Sequence, residues 1–189
     1  MKDQILVNVQ HRHVHLSPVH TEALFGAAKC TKMAELAHRG QFACDETVTV
    51  VGPNGVSLER VRVLGPTRDE TQVELSPTEA YALGLDAPVR LSGDLSRTGS
   101  CTLVGPSGSV EIQTGLIIPA RHLHVSDRDA ARLGLSHHGL VSVAPVGRPD
   151  AKIELVSVRV HPTFALELHL TYDEASEFWV QTGDRVTIV

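Results

Sequence analysis

Two short segments carry the residues best suited to chemistry, Arg12-His13-Val14-His15-Leu16-Ser17 and Arg121-His122-Leu123-His124-Val125-Ser126. In an extended strand, residues i and i+2 face the same way, so each His-x-His aims two imidazoles at one spot. Imidazole is the commonest protein ligand for borderline cations such as zinc. Two such pairs in one short chain point to a metal site, or a two-metal site, built by duplication. Two strands with polar rims are the alternative. His11 shares the strand parity of His13 and His15 and could add a third ligand, but the second copy has Pro119 at that place. His20, His38, His137, His138 and His161 fall in expected turns or helix surfaces and read as solvated side chains.

Short helices and strands must position these residues. Helical stretches are expected at 20–25, 79–83, 127–133 and 173–178, each after a Ser or Thr that can cap it: Ser17, Ser76, Ser126 and Thr171. Strands are expected at 59–64, 71–75, 115–119, 140–146, 153–160, 165–170 and 185–189. The segments 48–59 and 101–111 look like one hairpin used twice, with Pro53-Asn54-Gly55 and Pro106-Ser107-Gly108 at the bends. Neither carries the Gly-Lys-Ser/Thr ending or the following helix of a phosphate loop. Many short strands with brief helices argue for a mainly β protein of small barrels closed by helical turns.

The duplication extends past the histidines. Gln72-Val73-Glu74 followed by Ser76 aligns with Glu167-Leu168-His169 followed by Thr171. Alternation puts Leu166, Leu168 and Leu170 on one strand face and Glu167 and His169 on the other. Each half can thus offer three ligands from two strands, although a lone polar residue on a strand is often simply exposed. A Gly65-Pro66 turn delivers Arg68 six residues before Glu74. A guanidinium near two cations is electrostatically costly unless an anion lies between them, and phosphate suits its fork of donors. Arg90 is a weaker candidate for the same task, and an ordinary surface arginine is the alternative for both.

Composition sets bounds. At 189 residues the chain holds one large domain or two small ones, and the repeat favours two. The net charge of -5, with scattered basic residues, gives no nucleic-acid surface. No apolar run is long enough to span a membrane, and the N-terminus is too short and polar for a signal peptide. Cys30, Cys44 and Cys101 form no Cys-x-x-Cys and read as small buried or half-buried residues in a reducing compartment.

The chain resembles the PduL-type phosphotransacylases, or phosphate propanoyltransferases, over essentially its whole length. The likeness rests on Arg12 to Ser17, Gly40-Gln41-Phe42-Ala43-Cys44 leading into Glu46 to Thr49, Arg62 to Pro66, Gln72 to Glu74, Ala87 to Arg90 with Ser92-Gly93-Asp94, and Ala120 to His124. The resemblance implies two small β-barrels with short capping helices and a pair of zinc ions between them. It implies that His13, His15 and Glu74 ligate one zinc, that His122, His124 and His169 ligate the other, and that Arg68 holds phosphate. It implies that 1–11 joins 120–189 in one barrel and that 12–119 forms the other. Cobalt or iron could take the place of zinc in the cell. Members sent to bacterial microcompartments usually carry an amphipathic extension before the first strand. This chain has none ahead of the motif, which favours the bacterial cytoplasm over a microcompartment lumen. Ser176 stands where the family often has Asn.

The implied reaction is reversible: propanoyl-CoA, or acetyl-CoA, plus phosphate gives acyl phosphate plus CoA. Direct attack of metal-bound phosphate on the thioester is expected, with no acyl-enzyme. Small molecules are the expected partners, with a homo-oligomer and association with acetate or propionate kinase or with microcompartment enzymes in view. Neither nucleic acid nor membrane is expected. Arg12, Arg121 and Lys152 are candidates to meet CoA. Two rivals stand beside this reading. A dinuclear zinc hydrolase acting on a thioester or phosphoester usually adds Asp ligands, and no Asp flanks either His-x-His. A non-catalytic barrel joined by metals would have no use for an anion-binding arginine.

Overall fold

The computed structural model describes residues 3–189. Its first elements are β1 (Ile5–Gln10), β2 (His13–His15), α1 (Pro18–Phe25), β3 (Lys32–Glu35), β4 (Phe42–Val51) and β5 (Ser57–Gly65). They are followed by β6 (Gln72–Glu74), α2 (Pro77–Leu83), β7 (Val89–Arg90), β8 (Gly99–Gly105) and β9 (Gly108–Pro119). The remainder comprises β10 (His122–Val125), α3 (Asp127–Leu133), β11 (Leu140–Pro145), β12 (Ile153–Val160), β13 (Glu167–Thr171), α4 (Tyr172–Glu177) and β14 (Arg185–Ile188). Ser17, Ser76, Ser126 and Thr171 cap the four helices, each side chain accepting a backbone N–H three residues on. At α2 and α4 the bond is reciprocal, because Glu79 and Glu174 reach back to the capping residue.

The chain divides into two compact units: the N-terminal segment through His11 with Ala120–Val189, and Arg12–Pro119. The first is a closed barrel of order β1-β13-β10-β12-β11-β14. In the second, β4, β5, β2, β6, β9 and β8 pair in that order, and β8 pairs back to β4 to close the ring. There β3 and β7 are additions at β4 and β9.

The two rings share one plan. Each His-x-His strand runs antiparallel to the later ligand-bearing strand (β2 with β6, β10 with β13) and parallel to another (β5, β12). Each also takes in one strand from the other copy of the repeat, β1 in the first unit and β9 in the second. The hairpins at 48–59 and 101–111 both form, but both lie in the second unit as β4–β5 and β8–β9, at different places in its ring. They resemble each other because each turn demands the same Gly and Pro chemistry, not because they are equivalent strands.

Alternation fills both interiors. Val14 opposite Val73, and Leu123 opposite Leu168, are fully buried at matching positions of the two cores. Among the described residues no helix is long and apolar enough to cross a membrane.

Candidate functional site

In the Arg12–Pro119 unit, Val14 points into the barrel, so His13 and His15 lie on the other face of β2. The antiparallel register sets His13 opposite Glu74 and His15 opposite Gln72. One ligand atom from each of His13, His15 and Glu74 lies within 4.8 Å of the other two. His13 Nε2 is 3.5 Å from Glu74 Oε2, and the two imidazoles meet edge to face. All three side chains are buried. Two imidazoles and a carboxylate, dehydrated and converging, form a donor set that suits a borderline divalent cation. Beside them, Gly115 has φ +117°, and a Cβ there would fall 2.2 Å from the Thr71 carbonyl oxygen. Bare backbone at Gly115 lets β9 close against the start of β6, where Thr71 leads into Gln72.

Arg68 is held at this cluster from both ends. Its backbone N–H donates to the Leu16 carbonyl at 2.9 Å, one residue past His15. Its Nη2 donates to His15 Nε2 at 2.8 Å and its Nη1 to Ser92 Oγ at 3.1 Å. With a guanidinium donating to Nε2, the His15 lone pair is on that nitrogen and the ring is neutral. Burial, then the neighbouring His13 and Arg68, hold the His15 pKa well below 6.5. Gln72 completes the network. Its Nε2 donates to Glu74 Oε1 at 2.5 Å and to Ser92 Oγ at 2.8 Å, while its Oε1 accepts the Gly93 N–H.

In the other unit, β10 and β13 place His122 opposite His169 and His124 opposite Glu167. The ring centroids of His122, His124 and His169 are 4.5 to 4.9 Å apart, with His122 stacked on His169. All three are buried. His122 Nδ1 lies 2.8 Å from the Ala120 carbonyl and donates to it, which leaves the lone pair on the other ring nitrogen. His169 Nε2 is 3.2 Å from Glu167 Oε2, which also accepts from Asn8 Nδ2.

The two registers make His13 the counterpart of His122, His15 of His124, Glu74 of His169 and Gln72 of Glu167. Gln72 and Glu167 are absent from the expected ligand sets, yet each stands two positions before a ligand candidate on the same strand face. Ser92 arrives on a loop with no periodic signal. Arg12 and Arg121 also match: they pair with the capping glutamates Glu79 at 2.8 Å and Glu174 at 3.0 Å. Those contacts position the strand starts. His11 is exposed in the break between β1 and β2 and joins no ligand group, because the extended parity ends at Gln10. Arg90 faces Asp94 at 3.8 Å and donates to the Val89 carbonyl. His38 is buried, contrary to its reading as a solvated side chain. It belongs to a tight turn whose carbonyl accepts the Gln41 N–H.

The chain also has relatives among known proteins. A family model described as phosphate propanoyltransferase matches residues 6–181. A protein of that name from Thermotoga maritima is 46% identical over 188 residues, covering 98% of this chain and 89% of its own. Its namesake from Rhodopseudomonas palustris is 41% identical over 186 residues, with 98% and 82% covered. The one from Salmonella typhimurium is 43% identical over 173 residues, with 91% and 82% covered. The chain belongs to the phosphate propanoyltransferase family.

Proposed function

We propose that the chain is a phosphate acyltransferase that interconverts propanoyl-CoA and phosphate with propanoyl phosphate and CoA, acetyl-CoA being a second donor. Family membership supports the reaction class. The observation that carries the phosphate role is Arg68, whose guanidinium is in contact with a ligand nitrogen, His15 Nε2. A guanidinium and a cation cannot share one lone pair. A cation at His15 therefore leaves Arg68 in need of another acceptor, and an oxyanion is the acceptor its geometry suits.

His13, His15 and Glu74 would hold one zinc, and His122, His124 and His169 another. A zinc ion bound at either set supplies Lewis-acid polarisation of oxygen and affinity for a thiolate. The chain's own residues do the rest. Arg68 binds phosphate, and Ser92, tied to both Arg68 and Gln72, fixes the direction of the guanidinium. Held in this way, a phosphate oxygen forms a bond to the thioester carbonyl carbon as the carbon–sulfur bond breaks. CoA leaves through sulfur, and the phosphate proton ends on that sulfur.

Direct attack is supported by the cysteines. Burial pushes the Cys44 and Cys101 thiols up to about 12 and raises the Cys30 thiol as well, so none of the three is poised as a thiolate at neutral pH to form an acyl-enzyme. The test follows CoA release from propanoyl-CoA with and without phosphate, trapping acyl phosphate with hydroxylamine. Release that requires phosphate and yields the hydroxamate is expected. Thioester loss at the same rate without phosphate would make the protein a hydrolase and overturn the reading.

A further inference from the structure

A third group of metal-ligating side chains lies in the Arg12–Pro119 unit, away from the His-x-His strand. One ligand atom from each of Cys30, Cys44 and Glu46 lies within 4.8 Å of the other two. Cys44 and Glu46 are two apart on β4, and the β4–β5 register shifts between Ala43 and Thr47, where a bulge can re-aim side chains. Cys30 ends the loop that follows α1, and its neighbour Thr31 is clamped to β4 in both directions. The Thr31 N–H donates to both Glu46 carboxylate oxygens, at 2.8 and 3.0 Å. The Thr31 carbonyl accepts the Asp45 N–H at 2.9 Å. The loop is thus tied to the strand by the residues that immediately follow the two sulfurs.

We propose that Cys30, Cys44 and Glu46 form a cation site for a thiophilic divalent ion such as zinc, separate from the histidine clusters. Two sulfurs and a carboxylate match the soft and borderline preferences of that ion, and the half-buried Cys30 leaves one side open to solvent for a fourth ligand. The Cys44 thiol donates to the Cys30 sulfur, which also accepts from the Thr21 hydroxyl. Binding replaces two S–H protons, released to solvent, with two metal–sulfur bonds, and no electron moves. The excess negative charge of two thiolates and a carboxylate over one divalent ion falls beside Arg62. That guanidinium donates to the Cys44 and Asp45 carbonyls at 2.8 and 3.0 Å. The bound ion would pin the loop after α1 to β4.

The test is a cobalt(II) titration of the reduced, full-length protein, read as the near-ultraviolet charge-transfer band that thiolate ligands give and imidazole or carboxylate ligands do not. One thiolate-ligated cobalt per chain is expected. Cys30→Ser and Cys44→Ser should each abolish the band. Glu46→Gln should move its saturation to higher cobalt by at least the ~10–100-fold that loss of an outer-shell partner brings. Should Cys44→Ser fail to fold, Cys30→Ser, at a half-buried loop position, carries the result alone. A protein with all three thiols free that shows no band at any cobalt concentration would overturn the proposal, as would a band that survives Cys30→Ser. Because the histidine clusters lack sulfur, their metal binding or its failure leaves this readout unchanged.

Discussion

Arg68 Nη2 and His15 Nε2 are 2.8 Å apart, so an arginine holds the lone pair of a metal-ligand candidate. Under the proposed function the pair would link anion binding to cation binding through a single nitrogen. Arg68→Ala should therefore raise the phosphate KM by about 10–100-fold, as expected for a lost charge-assisted hydrogen bond. The KM for propanoyl-CoA should stay close to wild type. Steady-state kinetics with each substrate varied in turn decide it, and equal rises in both would remove the phosphate role.

Metal dependence should divide between the two histidine clusters. Exhaustive chelation is expected to abolish acyl transfer, with zinc restoring it. His13→Ala and His169→Ala should each lower the zinc content by one ion per chain, measured by elemental analysis on the folded protein. Full activity in protein shown to be metal-free would rule out the metal centres.

Gly115→Ala should destabilise the fold by about 1–3 kcal/mol, since a side chain there adds left-handed backbone strain. The clash of its Cβ with the Thr71 carbonyl adds to that effect. Thermal unfolding measures it. An unchanged Tm would mean that β9 can move away from β6 at no cost.

Asp129 gives a pH signature. Hydrogen bonds from Arg132 and Ser126 hold its carboxyl below the usual 3.8. A carboxyl with a lowered folded pKa stabilises the fold above the unfolded value, and the benefit fades as pH falls through the folded one. Asp129→Asn should lower the Tm modestly and evenly from about pH 7 to pH 5, with the gap to wild type closing below about pH 4. A gap that widens in acid would contradict the sign.

Much of this architecture is legible in the sequence, because strand alternation and helix capping are local rules. Ser17, Ser76, Ser126 and Thr171 announce four helices before any tertiary contact is known. The likeness of Gln72-Val73-Glu74 to Glu167-Leu168-His169 reappears as matching cross-strand registers. Ser92 is not legible, since only the closing of the ring brings its loop to Gln72. Nor is the burial of His38, because a turn sequence looks polar whether or not it faces water. The kinship of the two hairpins misleads for a related reason: turn residues report bend geometry, not the place of a strand in a ring.

Each ring borrows its sixth strand from the other copy of the repeat, across the two-residue links His11–Arg12 and Ala120–Arg121. A lone ancestral copy would have held five strands of one barrel and a sixth with no place in it. Such a peptide could close a ring only by trading that strand with a twin. On the ribosome the same arrangement makes β1 wait for β14 before its barrel can shut.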